Sequence, residues 1–226
     1  MISASVDTVG DQRVVARWGH GLAAAVAGAG LVIQLGLLFA GGSDVNSGAD
    51  SGTIPLGVRL LRFFSYFTIQ SNIVVLVAAI LLALRPARDG TIWRIVRLDS
   101  LLGIVTTGIV YATILAPLVH LEGTAFVATF LLHYLSPWLF LACWIVAGPR
   151  PRITWGTVAG AFVWPVAWIA YTLIHGAITN WYPYPFLNVA ALGFPTAFRN
   201  IVVILVAAGV LAVIFRLLDR LPAFNR

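Results

Sequence analysis

Residues 58–84 read VRLLRFFSYFTIQSNIVVLVAAILLAL. The second half is an unbroken apolar run, and the first is apolar apart from two arginines. Between them SYFTIQSN, residues 65–72, carries polar groups on six of its eight residues. A helix needs roughly 20 apolar residues to cross a hydrocarbon core about 30 Å thick, and this stretch is long enough. Polar side chains inside such a helix are costly against lipid, so they belong against other helices or a cavity. The stretch therefore sets two expectations: a transmembrane bundle, and a polar site inside it.

Five more runs of spanning length surround it, so the six predicted spans are 18–40, 58–84, 98–121, 124–147, 155–178 and 199–218. Of the 226 residues, 60% are hydrophobic and only 10% charged, with mean hydropathy +0.95. That composition excludes a soluble globule and predicts an all-α polytopic membrane protein, one membrane domain over 1–226. Residues 1–17 are polar, carry no cleavable-signal pattern and read as a cytoplasmic tail. The single cysteine, Cys143, excludes an intrachain disulfide or a cysteine metal cage.

All 14 basic residues are arginine, a bias that points to a GC-rich bacterial genome and a bacterial plasma membrane. Their placement sets the predicted orientation. Arg13 and Arg17 precede the first span, Arg85, Arg88, Arg94 and Arg97 fill the second loop, Arg150 and Arg152 the fourth, and Arg216, Arg220 and Arg226 end the chain. The odd loops lack arginine, so both termini are expected in the cytoplasm. Arg59, Arg62 and Arg199 are exceptions near the external ends of spans, placed to receive a lipid carboxylate or phosphate or to snorkel to headgroups. The pI of 10.2 thus reflects the membrane's inner face and not nucleic acid. The 41–54 loop, rich in Gly and Ser, is expected to be mobile. The 179–198 loop sets Trp181, Tyr182, Tyr184 and Phe186 among three prolines, and fits either an interfacial aromatic belt or an ordered cap over a cavity.

With 58–84 as one continuous helix entering from outside, Thr68 lies roughly 15 Å deep. Ser65 and Asn72 fall on its face, with Gln70 and Ser71 beside them. His133 lies at a similar distance into the parallel fourth span, and Pro137, four residues on, leaves the His133 carbonyl without its usual partner. A hydroxyl and an imidazole at one depth suit nucleophile and general base, with Asn72 or a backbone N–H available for an oxyanion. Acids at depth are absent: Asp99 is near a surface and Glu122 in a turn. That argues against a carboxylate proton relay and against intramembrane aspartyl proteolysis. No cofactor and no metal are called for. Other readings stay open: polar residues as helix glue, a zinc site using His120, His133 and His175 with or without Glu122, a haem between His120 and His175, or a non-catalytic lipid-binding, transport or scaffold protein.

The motifs YFTIQSN, LLHYLSP and TNWYPYPFLNV resemble the androgen-induced-gene / androgen-dependent TFPI-regulating protein family and its bacterial six-span relatives. The likeness covers roughly residues 15–215. It implies an intramembrane threonine hydrolase of fatty acid esters of hydroxy fatty acids, with Thr68 as nucleophile and His133 as the essential histidine. Ser71 and Asn72 replace an acidic–apolar pair of the animal members, and the proline after the histidine is one residue closer. The implied partners are a fatty-acyl ester substrate and membrane lipids. Ser65, Ser71 and Asn72 would support the nucleophile. Arg59, Arg62, His175, Tyr184 and Arg199 would contact substrate or lid the cavity.

Overall fold

The computed structural model describes residues 3–41 and 54–221, with side chains from residue 13 onward. The predicted 41–54 loop falls almost wholly outside the described residues. Among those described there is no strand, and the helices are α1 Ser3–Phe39, α2 Leu56–Ser65, α3 Phe67–Leu84, α4 Thr91–Val110, α5 Gly123–Phe130, α6 Ser136–Ala147, α7 Trp155–Ala161, α8 Val163–Thr179, α9 Val189–Leu192 and α10 Phe194–Leu218. A π-turn, Tyr111–Leu115, extends α4, and a second, Leu131–Leu135, joins α5 to α6. Six helices are long and apolar enough to span a membrane: Arg13–Phe39, Phe67–Leu84, Thr91–Leu118, Gly123–Ala147, Trp155–Thr179 and Phe194–Leu218. The protein is an all-α polytopic membrane protein.

Several boundaries depart from the sequence reading. Helix α1 takes in most of the polar tail, because nothing in residues 3–17 breaks a helix. The third span begins at Thr91, not 98: Arg94, Arg97 and Asp99 continue its helix at the basic end. The sixth begins at Phe194, with Pro195 in the first turn, where a missing N–H costs nothing. The second span is not one helix. Tyr66, at φ −69° and ψ 127°, is extended and separates α2 from α3.

Helix α1 lies along α3, where Ala23, Ala24 and Ala27 meet a core containing Ala78, Ala79 and Leu82. Small residues let backbones approach closely, which drives association where lipid is as apolar as leucine. One core, with Leu98, Leu101 and Trp144, fills the arginine-rich end. A second, with Phe63, Tyr66, Ile69, Tyr111, Leu132 and Tyr184, fills the other. The basic end is tied by polar contacts. Arg94 donates to both oxygens of Asp89 at 2.7 and 2.8 Å, and Arg152 also pairs with Asp89. Asp219 accepts from the Arg152 and Ile153 N–H groups at 2.5 and 2.7 Å. Arg94, then Arg152, hold the Asp89 carboxyl well below the usual carboxylate range. A depressed carboxyl loses its contribution only as pH falls through its folded value, so these pairs persist into acid, although exposed pairs stabilise little.

The loops carrying Asp89 and Arg152 share one end with Asp219, and Glu122 lies at the other. If the arginine-rich end faces the cytoplasm, a membrane-impermeant thiol reagent applied to intact cells should label Glu122→Cys and spare Ala87→Cys, both exposed positions. The opposite pattern would invert the orientation.

Candidate active site

The break at Tyr66 builds the site. Because α3 starts at Phe67, Thr68 is its second residue, and the first N–H groups of a helix have no intrahelical partners. The Thr68 N–H donates to Tyr184 Oη at 3.1 Å, and the Thr68 hydroxyl lies 3.2 Å from the same oxygen. The break also corrects the polar stripe expected across Ser65, Thr68 and Asn72, since the helical phase resets between Ser65 and Thr68. Ser65 Oγ donates to the Leu61 carbonyl at 2.7 Å and lies 2.6 Å from Tyr171 Oη, while its own carbonyl accepts from Trp168 Nε1 at 2.9 Å. Gln70 bridges the break, donating to the Phe64 carbonyl at 2.9 Å and accepting from Trp164 Nε1 at 3.0 Å. Ser71 points at α4, where Thr107 Oγ1 approaches at 3.5 Å. Ser65, Gln70 and Ser71 therefore hold the break and the packing.

Asn72, fully buried, donates from Nδ2 to the Thr68 carbonyl at 2.9 Å and the Leu132 carbonyl at 3.2 Å. It binds the turn carrying Thr68 to the residue before His133. Both its amide hydrogens go to backbone, so it supports the site and does not supply an oxyanion donor.

His133 sits in the π-turn before Pro137, where the missing proline N–H disturbs the regular ladder. Gly108 of α4 admits this irregular turn: a Cβ there would lie 3.0 Å from Pro137 and 3.2 Å from the His133 carbonyl. The Tyr111 ring lies over the imidazole, centroids 4.0 Å apart. His133 Nδ1 is 3.1 Å from the Thr129 carbonyl. A carbonyl only accepts, so Nδ1 carries the proton of a neutral ring and Nε2 its lone pair. Nε2 has no hydrogen-bond partner among the described residues.

Three cavities meet here. A small one of about 40 Å³ is lined by Thr68, His133, Gln34, Tyr111 and Thr129 within otherwise mostly apolar walls. An apolar one of about 90 Å³ extends from Thr68 between α4, α7, α8 and α10. A mouth of about 410 Å³ lies between residues 115–119 and 180–188, at the arginine-poor end. Leu115 and Tyr184 border all three, and Thr68 borders the first two. Within the 179–198 segment, residues 183–187 tuck inward over the site: Tyr184 and Leu187 are buried, and Pro183 is among the most buried side chains.

Gln34 was not singled out by sequence reasoning. Gln34 is 8% exposed, lines the small cavity with Thr68 and His133, and has no side-chain hydrogen-bond partner among the described residues. Gly30, one turn earlier, lets α1 approach Leu132, where a Cβ would come within 2.7 Å. The available signal was one amide in the run GLVIQLGLLF. At the mouth, the Arg62 guanidinium lies 5.1 Å from the Trp181 ring centroid, and the His175 ring meets Trp181 edge-on at 5.8 Å. Arg59, Arg62, Arg199 and His175 line none of the three cavities. No group of three potential metal ligands clusters among the described residues. No family model, curated protein or solved structure matches the chain.

Replacing Asn72 by Ala removes the side-chain donor to the buried Leu132 carbonyl and the second donor to the Thr68 carbonyl. It should lower the unfolding free energy in detergent by about 1–2 kcal/mol. A variant as stable as wild type would remove Asn72 as the tie between Thr68 and His133.

Proposed function

We propose that the protein is an integral-membrane hydrolase of long-chain lipid esters, such as a fatty acid ester of a hydroxy fatty acid, with Thr68 as nucleophile and His133 as base. The observation that carries this reading is the shared small cavity: it holds the Thr68 hydroxyl and an imidazole whose Nδ1 is already engaged. The resemblance of YFTIQSN and LLHYLSP to the threonine-hydrolase family supports the same pair. In this reading the setting is a bacterial plasma membrane, with cytoplasmic termini and an external mouth.

The chemistry is acyl transfer. Thr68 Oγ1 attacks the ester carbonyl as its proton passes to His133 Nε2. The tetrahedral intermediate collapses, the C–O bond to the alcohol breaks, and the alcohol leaves with the proton from Nε2. Water then attacks the acyl-threonine by the same steps and releases the acid. The developing oxyanion is served by the Thr68 N–H, at the positive end of α3, and by the Gln34 amide. Tyr184 Oη now occupies the N–H, so the substrate carbonyl takes its place. One observation favours a second reading, a non-catalytic lipid-binding protein: the Thr68 hydroxyl approaches Tyr184 within hydrogen-bond distance.

Long-chain ester hydrolysis by purified protein separates the two. Thr68→Val, which keeps the shape, should lose roughly 10³-fold or more in kcat, while Thr68→Ser retains part of the activity. His133→Ala should be about as damaging as Thr68→Ala, and the double variant little worse. A fluorophosphonate probe should label wild type and not Thr68→Val. A folded Thr68→Val protein with full activity ends the hydrolase reading. Gln34→Ala should lower kcat about 10²-fold with KM little changed. An equal rise in KM instead would make Gln34 a ground-state contact.

A further inference from the structure

The apolar cavity beside Thr68 and the mouth differ in a way that sorts the two halves of an ester. We infer that the apolar cavity between α4, α7, α8 and α10 receives the acyl arm, that the alcohol leaves by the mouth under Tyr184, and that Ala208 sets the acyl length accepted. This rests on the hydrolase reading of Thr68 and specifies its substrate.

Acyl transfer makes the halves unequal. After the first step the acyl group is bonded to Thr68 Oγ1, while the alcohol is free and must depart before water enters. The retained half needs room that begins at Thr68, and the leaving half needs a way out. The apolar cavity begins at Thr68, and its walls include Leu102, Gly103, Ile169, Ile201 and Ala208. The mouth does not include Thr68 in its walls and carries polar groups from Asn180, Tyr182 and Asn188. A hydrocarbon chain gains most from the first, where each buried methylene contributes about 0.8 kcal/mol. A polar or charged alcohol half suits the second, whose Trp181 carries the Arg62 guanidinium.

The cavity's length limits the chain. Along α10 it runs from Ile201 to Ala208, and along α4 from Leu115 back to Leu102. At 1.5 Å per residue these stretches are about 10 and 20 Å long. An acyl chain longer than the shorter stretch meets the Ala208 end of the cavity. Ala208 is the lining residue of α10 furthest along the helix from Phe194, and a larger side chain there would occupy space that the far methylenes need. Gly103 is a poorer probe, because a Cβ there already meets Trp164 at 3.0 Å.

The test compares wild type, Ala208→Phe and Val206→Phe, whose position is 61% exposed on the same helix and lines none of the three cavities. Two series of esters are hydrolysed, one varying the acyl arm from short to long chains and one varying the alcohol arm. Ala208→Phe should lower kcat/KM for the longest acyl arms relative to the shortest by at least about tenfold, corresponding to about two methylenes denied burial. Val206→Phe should keep the wild-type profile. An unchanged acyl profile in Ala208→Phe, or a changed profile only in the alcohol series, overturns the assignment. Binding of a fluorescent long-chain fatty acid supplies a readout that needs no catalysis. Binding weakened by Ala208→Phe in a protein without esterase activity would sink the hydrolase reading while leaving a chain in the cavity. Esterase activity dependent on Thr68, with neither profile nor binding changed by Ala208→Phe, would sink the cavity assignment alone.

Discussion

Inside a bilayer every backbone N–H and C=O must find its partner within the protein, and this bears hardest on the break at Tyr66. An extended residue between two helices frees carbonyls at the end of α2 and N–H groups at the start of α3. The surrounding side chains answer them one by one. Trp168 takes the Ser65 carbonyl, Gln70 the Phe64 carbonyl and Tyr184 the Thr68 N–H. The polar run SYFTIQSN is thus mostly the cost of breaking a membrane helix. What the break achieves is to place a hydroxyl at a helix start, beside a cavity.

A second irregularity faces the first. The π-turn around His133 and the one beginning at Tyr111 bring two rings into contact, and Gly108 supplies the space against Pro137. Irregular helix turns recur at functional sites because they re-aim a side chain that a regular helix would point elsewhere. Asn72 spans the two irregularities, reaching from α3 to the Leu132 carbonyl. The remaining wall is the cap. Tyr184 stacks nearly parallel on Phe186, with centroids 5.2 Å apart, and meets Tyr66 and Trp168, so the segment after the fifth span is held in the bundle by aromatic contacts.

The two ends of the bundle are built differently. The arginine-rich end is a filled core closed by Asp89, Asp219 and their arginine and backbone partners. The other end holds the cavities. Polar ties close one end, and the open volume beside Thr68 and His133 lies toward the other. The sixth span encloses the apolar cavity with a thin wall: only 17% of its most apolar window is buried within the protein.

The sequence by itself determined the number of spans and the all-α class, because hydrocarbon thickness translates directly into run length. It also picked out Thr68 and His133, because polar groups in such runs are costly and few. It put Ser65, Thr68 and Asn72 on one face only by assuming an unbroken helix, and Tyr66 has no sequence signature that marks it as a break. Only the tertiary structure decided that Asn72 spends its amide on backbone, that Tyr184 folds inward as part of a cap, and that Gln34 reaches the cavity from α1. Those outcomes depend on which helices are neighbours and how closely glycines let them approach. Such pairings arise between residues far apart in the chain, and no local period or spacing records them.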